Sequence, residues 1–452
     1  MRYVVLLLAL VLTACSAAPR PAAYPEAAPL PEMRVFPAAR PAAPVRANGD
    51  LARDFLELSF WLEDGRPLPV FTRFEGPVTL AVAGPAPDIA LRDLAILIER
   101  LRSEARIDIT TTTDLAAANI VVEFLPGRML ATYAPETACF VVPRVGSWTE
   151  FRQNRRSGLL DWTTLERRET LSVFIPYDTN PQEIRDCLHE EIAQALGPLN
   201  DLYRLSDTIF NDDNFHSVLT GFDMLILRAY YAPELRSGMS RDEVAARLPA
   251  ILRRINPAGE RRGPAADPGE TPRDWLGAIN VALNPVRRPD RLEAAHYAVG
   301  RAQELGWTDS RLALSYFALG RAAAPDSSTL AAAAFLRAGL VWRDLPDAQV
   351  HVAHIDMQMA AFALVAGQPQ NTVALTDRAM EPAYQAQNAA LLASLLMLRA
   401  TALDDLGRGT EAQADRLDSL GWARYGFGSD EEVRARLAEI ASLGRTAGDR
   451  AR

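Results

Sequence analysis

The sequence predicts an α+β fold: a domain with a mixed sheet and helices, followed by an all-α helical-repeat domain. Between residues 48 and 253, short strand-like runs alternate with amphipathic helical patterns, which indicates helices packed on a sheet. From residue 274 onward the chain is Ala-rich, has helical periodicity and contains no run typical of a strand. A chain of 452 residues is also too long for one ordinary hydrophobic core, so several domains are expected.

Composition and charge narrow the class of partner. The chain is 49% hydrophobic and 23% charged, as in globular proteins, and its formal net charge is −9. No segment is strongly basic. Because phosphate neutralisation needs a concentrated Lys or Arg face, nucleic acid is not expected as a partner.

The first residues are typical of a bacterial lipoprotein signal. A short basic segment precedes the apolar run 4–12, which is too short to span a bilayer as a stable anchor. The run ends in Leu-Thr-Ala-Cys, with Cys15 last, which resembles a lipobox. The resemblance implies that residues 1–14 are a signal peptide and that lipidated Cys15 holds the protein on a membrane. Ser16 rather than Asp follows the cysteine, which favours the outer membrane, with the folded part facing the periplasm.

Shifts in composition set the domain boundaries. Residues 15–47 are Ala- and Pro-rich with few large apolar groups, which predicts an extended tether that lifts the body off the membrane. The first folded domain covers 48–253, and a linker rich in Arg, Pro, Gly and Glu covers 254–273. The helical domain covers 274–445.

Within the first domain, the spacing of apolar residues predicts each element in turn. Strand-like runs lie at 71–82, 107–112, 118–124, 138–142 and 171–176, and helical patterns at 51–61, 90–105 and 241–253. A central helix follows the last strand, because Asn180 and Pro181 resemble an N-cap and a first helical residue, with Glu183 in the first turn. Another helix follows a Thr220 cap.

One segment has no clean periodicity. Residues 146–168 contain two Trp and five Arg, and we interpret them as a solvated loop. The alternative is a lid over a cleft or an edge that binds a partner.

Breaks at Pro and Gly residues divide the second domain into helices. We expect these helices near 275–284, 290–305, 309–323, 328–343, 347–366, 370–381, 388–406, 410–425 and 430–443. Ala400, Leu403, Gly407 and Ala412 occupy the small and turn positions of a tetratricopeptide-like pair, with a looser echo around Gly367. The two glycines are 40 residues apart rather than the 34 of a regular repeat, so the repeat is degenerate. A plain helical bundle is the alternative.

Two cysteines remain after Cys15. Cys139 lies in a strand-like run and Cys187 at the start of the central helix. In an oxidising compartment they are candidates for one disulfide, and two buried thiols are the alternative.

The stretch Cys187–Asp201 has the form of a zinc-peptidase helix with its ligands replaced. Zincins of the longer type read His-Glu-x-x-His-x-x-Gly-x-x-His. When Gly197 is set on that Gly, Glu190, Gln194 and Asn200 replace the three histidines, while Glu191 occupies the position of the catalytic Glu. The sequence therefore predicts a zincin-like domain without its zinc-binding imidazoles.

The replaced ligands argue against a catalytic zinc. Such a site needs three protein ligands and an open position, and Gln194 and Asn200 bind only weakly through amide oxygens. No metal or other cofactor is expected, although oxygen ligands such as Glu190 and the nearby acidic loop residues suit a hard ion. On a helix, Cys187, Glu190, Glu191 and Gln194 share a face that we expect to point toward a cleft or solvent, with His189 on the other side. Glu190, Gln194, Asn200 and Asp201 are then candidate binding residues.

These residues also resemble a known family. The runs Phe71–Pro77, Cys187–Gly197 and Ile209–Asp212, together with the strand that carries Cys139, are similar to the domain of unknown function 2927. That family occurs in bacterial lipoproteins and has no agreed activity. In metzincin peptidases a Met-turn lies beneath the metal, and Ile209-Phe210 stands at that position here.

Three functional hypotheses follow. The first is a lipoprotein whose non-catalytic, metzincin-like domain binds a ligand and whose helical repeats bind a protein partner in the cell envelope. The second is an atypical hydrolase or peptidase that uses Glu191 as general base. The third is a structural or adaptor lipoprotein that acts through its repeats alone. The absent histidines favour a protein that is not an enzyme.

Overall fold

The computed structural model describes residues 29–135, 137–263, 267–284 and 288–450. The predicted signal peptide and Cys15 lie outside this part of the chain. Within it, no helix combines the length and the hydropathy needed to cross a bilayer.

Five strands form one mixed sheet: β1 (Val78–Ala83), β2 (Ile109–Thr111), β3 (Ile120–Leu125), β4 (Phe140–Pro143) and β5 (Leu171–Pro176). The strand order is β2-β1-β3-β5-β4. All neighbours pair in parallel except β4, which runs antiparallel to β5 at one edge. Every residue of β5 is buried, because helices and loops cover both faces of the sheet there.

Seven helices accompany the sheet: α1 (Asn48–Phe60), α2 (Asp88–Ser103), α3 (Gly127–Ala131), α4 (Trp148–Asn154), α5 (Pro181–Leu196), α6 (Gly221–Tyr230) and α7 (Arg241–Ile255). The apolar faces of α1, α2, α5, α6 and α7 meet the sheet in one hydrophobic core. The predicted α+β class and the order of the main elements are confirmed, whereas the short helix α3 was not predicted.

The predicted strand 71–82 joins the sheet only in its second half. The backbone of Phe71 bonds instead to Met239 and Gly238, at 2.8 and 3.0 Å. Its ring lies 4.8 Å from that of Tyr230, between centroids, in the core of the domain. The first half of the predicted strand therefore packs in the core and does not pair with the sheet.

The interpretation of 146–168 as a solvated loop is wrong for much of that segment. Trp148 and Phe151 on α4 are buried against Phe174 of β5 in a small aromatic cluster. Two 3-10 turns follow, Gly158–Leu160 and Trp162–Thr164. The segment is therefore a packed cover over the edge of the sheet.

Nine helices make up the second part of the described chain: α8 (Arg273–Leu283), α9 (Arg288–Glu304), α10 (Ser310–Ala323), α11 (Ser328–Asp344), α12 (Gln349–Val365), α13 (Pro369–Gln385), α14 (Ala389–Asp405), α15 (Gly409–Gly426) and α16 (Asp430–Arg450). The all-helical prediction is confirmed. Helices α12 to α15 begin at residues 349, 369, 389 and 409, so they are spaced twenty residues apart. The loops between them turn at Gly367, Gln387 and Gly407, with φ of 69°, 54° and 72°.

The helical part docks directly on the sheet-containing part. The ring of Phe215 packs on Phe317 and Trp342, at 5.1 and 5.3 Å between centroids. The imidazole Nε2 of His351 on α12 lies 2.7 Å from a carboxylate oxygen of Asp213. The relative placement that the sequence left open is therefore fixed by a packed interface.

Residues 29–47 bind to both parts. They are extended, as expected, but Phe36 is buried and stacks on Trp422 at 4.4 Å between ring centroids. The N–H of Arg34 donates to the carbonyl of Gly421 at 3.0 Å, and the side chain of Gln387 donates to the carbonyl of Pro37 at 2.8 Å. The prediction of a free tether is wrong for this segment, which straps the two parts together.

Candidate binding site on the central helix

The start of α5 forms as its sequence predicts. The side chain of Asn180 accepts from the N–H of Glu183 at 2.9 Å, and Pro181 is the first helical residue. The following α6 starts with a capping box between Thr220 and Asp223. Both predicted caps are confirmed.

The end of α5 is held by a residue that sequence reasoning left in a loop. The buried guanidinium of Arg168 donates to the carbonyl oxygens of Gln194, Ala195 and Gly197, with 2.7 Å to that of Ala195. These carbonyls lie in the last turn and the C-cap of the helix, where few backbone donors remain, so Arg168 closes its C-terminus. The ring of Tyr230 packs so closely on position 197 that only glycine fits there, because a Cβ would lie 2.9 Å from the ring.

A disulfide joins α5 to the edge strand β4. Cys139 and Cys187 are bonded, with 5.9 Å between their Cα atoms, so the predicted pairing is present. Two residues beyond Cys139, the backbone N–H of Val141 donates to the carboxyl of Glu191, one turn beyond Cys187. The bridge therefore lies beside the residue in the position of a catalytic Glu.

Five carboxyl groups gather around this point. Glu190 and Glu191 come from α5, Asp201 and Asp212 from the loop after it, and Glu63 from the loop after α1. We call these five residues the carboxylate cluster. Glu191 is only 4% exposed, whereas Glu63 and Asp212 are exposed. The prediction that the polar face of α5 opens to a cleft or solvent is therefore wrong for Glu191, which β4 covers.

Burial and mutual repulsion raise the pKa values of these carboxyl groups. Burial raises the pKa of Glu191 to about 8, and the Glu63 and Asp186 carboxylates add to the shift. Desolvation by neighbouring protein atoms, with repulsion from Asp212, raises the pKa of Glu63 to about 7, although part of this residue is exposed to solvent. The pKa values of Glu190 and Asp201 are raised by the same two causes, burial first.

Among the described residues, two oxygens of the carboxylate cluster are buried and have no hydrogen-bond partner. They are Oε2 of Glu191 and Oδ1 of Asp201. A buried polar atom that is left unpaired costs about 1–3 kcal/mol, so such atoms usually mark a missing proton, water or ligand.

The other predicted binding residues contribute unequally. Gln194 is buried and its amide nitrogen donates to Oε1 of Glu63 at 3.3 Å, so it joins the cluster. Asn200, at the third-ligand position, donates instead to the backbone carbonyl of Glu57 on α1 at 3.1 Å. Tyr203 donates its hydroxyl to Asp212. Sequence reasoning missed Glu63 because no motif links it to α5.

The histidines of the described chain do not complete the site. Nδ1 of His189 accepts from the N–H of Leu219 at 3.0 Å, away from Glu191, as its place on the helix predicts. Burial, with Arg100 and Arg185 nearby, lowers the pKa of His189, so its ring is neutral. His216 bonds to the carbonyl of Ser206 at 2.9 Å, outside the cluster.

The arrangement lacks the parts of a zinc peptidase. Among the described residues, no three His, Cys, Asp or Glu side chains converge closely enough to hold a metal ion. A protonated Glu191 is also a poor general base, because it already carries the proton that a base would accept, and a neutral carboxyl group is only very weakly basic. The N–H of Ile209, in the segment that the sequence comparison set against a Met-turn, donates to Asp223 of α6 at 3.3 Å.

Comparison with known proteins identifies part of the chain. Residues 48–250 match the model of a family described as Protein of unknown function (DUF2927). The match covers the sheet, the carboxylate cluster and most of α7, and confirms the resemblance that these residues carry in the sequence. No curated protein and no solved structure matches the chain.

Proposed function

We propose that the chain is a lipoprotein of the cell envelope whose first part is a zincin-like domain that binds a ligand without catalysis. The observation that carries this proposal is the state of Glu191. It occupies the position of the catalytic base, yet it is buried, hydrogen-bonded to β4 and surrounded by other acidic groups. A carboxyl group in that environment suits recognition better than proton abstraction.

The sheet supports the zincin-like part of the proposal. Parallel strands, an antiparallel edge strand and a helix beside that edge are compatible with a zincin-like domain, in which Glu190 and Gln194 would replace two ligand histidines and Glu191 would replace the catalytic Glu. The chain replaces each imidazole while it keeps the helix, its caps and the close contact at Gly197. Loss of the metal site with retention of the scaffold is expected of a binding domain.

The helical part serves as an adaptor in this proposal. Its antiparallel helices recur every twenty residues between α12 and α15, which is typical of stacked repeats, and we propose a degenerate tetratricopeptide-like array. Its partner is a protein of the cell envelope. The array docks on α5 through Arg185 and Gln387, so the two parts are in direct contact.

Metal content and hydrolysis test the non-catalytic role. The purified chain is expected to carry no stoichiometric metal and to leave a peptide library uncut. Glu191→Gln removes the proposed base, and Glu99→Gln on α2 is a matched control because Glu99 is exposed. Hydrolysis that is lost in Glu191→Gln and kept in Glu99→Gln would establish the hydrolase instead.

Membrane anchoring is tested separately through Cys15. The full chain is expected to incorporate labelled fatty acid and to sediment with the outer membrane. Cys15→Ala should lose the label and enter the soluble fraction of the cell. A Cys15→Ala variant that still sediments with membranes would contradict lipid anchoring.

A further inference from the structure

We propose that the carboxylate cluster binds an organic cation, through a guanidinium or primary ammonium group that enters beside Glu63. This inference rests on the proposed binding role and adds the chemical class of the ligand. The shared feature is a positive charge with several N–H donors, as on an arginine side chain, a lysine side chain or a polyamine.

The carboxylate cluster concentrates acidic groups in one place. Three separate segments deliver five carboxyl groups to one place, and repulsion between them is among the causes that raise their pKa values. Two arginines that are close to the cluster in sequence bond to residues outside it. Arg204 pairs with Asp54 at 2.7 Å and also with Glu57, whereas Arg185 donates to Gln387 and Ser217.

Two buried oxygens of the cluster have no hydrogen-bond partner among the described residues. Glu191 is 96% buried, since its exposed fraction is 4%, and its Oε2 has no partner although its carboxyl also accepts from Val141. Oδ1 of Asp201 is likewise buried and unpaired. These two unpaired oxygens are available to hydrogen-bond a ligand whose positive charge displaces protons from the cluster.

The carboxylate cluster is accessible from solvent through its exposed members. Glu63 and Asp212 are exposed while Glu191 is buried, so the cluster runs from solvent into the protein. Gln194 holds Glu63 by a 3.3 Å hydrogen bond, and Tyr203 holds Asp212. A long side chain that enters between these two carboxylates would meet Glu190 next and the covered groups last.

The spread of the carboxylates favours an organic cation over a metal ion. A divalent ion needs several oxygens at about 2.0–2.6 Å from one centre. No described group of three acidic, His or Cys side chains is that compact. A planar guanidinium distributes five donors over a wider area and matches carboxylates in pairs.

Binding of a cation at this site should release protons from the carboxyl groups. Bound cation favours the ionised carboxylates, so binding must expel protons from groups such as Glu191, whose pKa is about 8 in the free chain. The charged and polar neighbours that share this titration are Glu63, Asp186, Glu190, Asp201, Tyr203 and Asp212, with Arg185 acting on Asp186. Affinity should therefore rise as the pH increases from about 6 to 8.5.

Calorimetric titration of the full chain tests the proposal. The probe is a capped pentapeptide with a central arginine among alanines, and its control replaces arginine by citrulline, which has the same shape without the charge. We expect the arginine peptide to bind at least about tenfold more tightly and to release protons, as shown by heats that change with the buffer. Spermidine and calcium chloride are the other two arms.

Two variants locate the binding. Glu63→Gln lies at the exposed entrance and so should fold normally, and Glu191→Gln removes the buried charge. Each should weaken arginine-peptide binding several-fold, whereas the control Glu99→Gln should not. Tight binding of spermidine alone assigns the site to free polyamines and keeps the cation class.

Three outcomes overturn the proposal: equal binding of the arginine and citrulline peptides, no binding of any organic cation, or calcium binding that Glu63→Gln abolishes. The first two leave the non-catalytic role intact, because they say nothing about metal or hydrolysis. Conversely, Glu191-dependent hydrolysis would remove the proposed function even if cations bind.

Discussion

The backbone N–H of Val141 on the edge strand donates to the carboxyl of Glu191 on the central helix. This contact lies two residues and one helical turn from the Cys139–Cys187 disulfide. The bridge thus keeps the strand over the acidic face of α5. It couples the stability of the domain to the geometry of the carboxylate cluster.

Removal of the disulfide should therefore lower stability and disturb Glu191. In the loop-entropy view, a bridge across 48 residues constrains the unfolded chain by about 4 kcal/mol. We expect Cys139→Ala with Cys187→Ala to reduce the unfolding free energy by roughly 2–4 kcal/mol, measured by denaturant unfolding. An unchanged unfolding midpoint in the double variant would contradict a stabilising bridge.

The C-terminal cap of α5 predicts a large effect at Arg168. Arg168→Met removes the donors to three carbonyl oxygens and leaves those oxygens buried, so a loss of about 3 kcal/mol is expected. The matched control is Arg167→Met, because the Arg167 side chain is 59% exposed, and it should change stability by less than about 0.5 kcal/mol. Similar unfolding curves for both variants would remove the capping role.

The strap of residues 29–47 predicts that substitutions at the adjacent residues Val35 and Phe36 have different effects. Phe36→Ala deletes a buried ring that stacks on Trp422, which should cost about 3–5 kcal/mol of the strap's attachment. Val35→Ala is the control, because Val35 is 39% exposed. Limited trypsin digestion should cleave after Arg34 much faster in Phe36→Ala, and equal rates in the two variants would contradict the strap.

Much of this architecture could be predicted from the sequence. Helical spacing, the Asn180 and Thr220 caps and the turns at Gly367 and Gly407 are local features, so their residues specify them directly. The disulfide pairing was predictable because only two cysteines remain after Cys15. Local chemistry decided these elements, and they formed as expected.

Long-range contacts could not be predicted in the same way. Nothing in the sequence distinguishes Arg168 from its exposed neighbours. It becomes a cap only because the fold places it at the end of α5. Phe36 is one aromatic residue in an Ala- and Pro-rich stretch, and its pocket comes from Tyr384, Trp422 and Tyr425 far along the chain. Glu63 joins the carboxylate cluster only through folding of α1 against α5.

The raised pKa of Glu191 predicts an unusual pH dependence of stability. Its folded pKa of about 8 lies above its ordinary value of 4.5, so between these pH values the folded state holds a proton that the unfolded state releases. The unfolding free energy should therefore fall as the pH rises through this window, by up to about 1.4 kcal/mol per pH unit for this group. Thermal unfolding of the wild type at several pH values measures this slope, and Glu191→Gln should flatten it. A stability that rises steadily across the same window would contradict the buried, protonated state.

The ionisation state of Glu191 is the most direct test of a binding rather than a catalytic site. Infrared difference spectra between the wild type and Glu191→Gln resolve the carbonyl band of a protonated carboxyl from that of a carboxylate. At about pH 6.5 the free chain should show the protonated band for Glu191, because its pKa is near 8, and the arginine peptide should convert it to the carboxylate band. A carboxylate band in the free chain at that pH would show an ionised base in the catalytic position and would contradict the proposal.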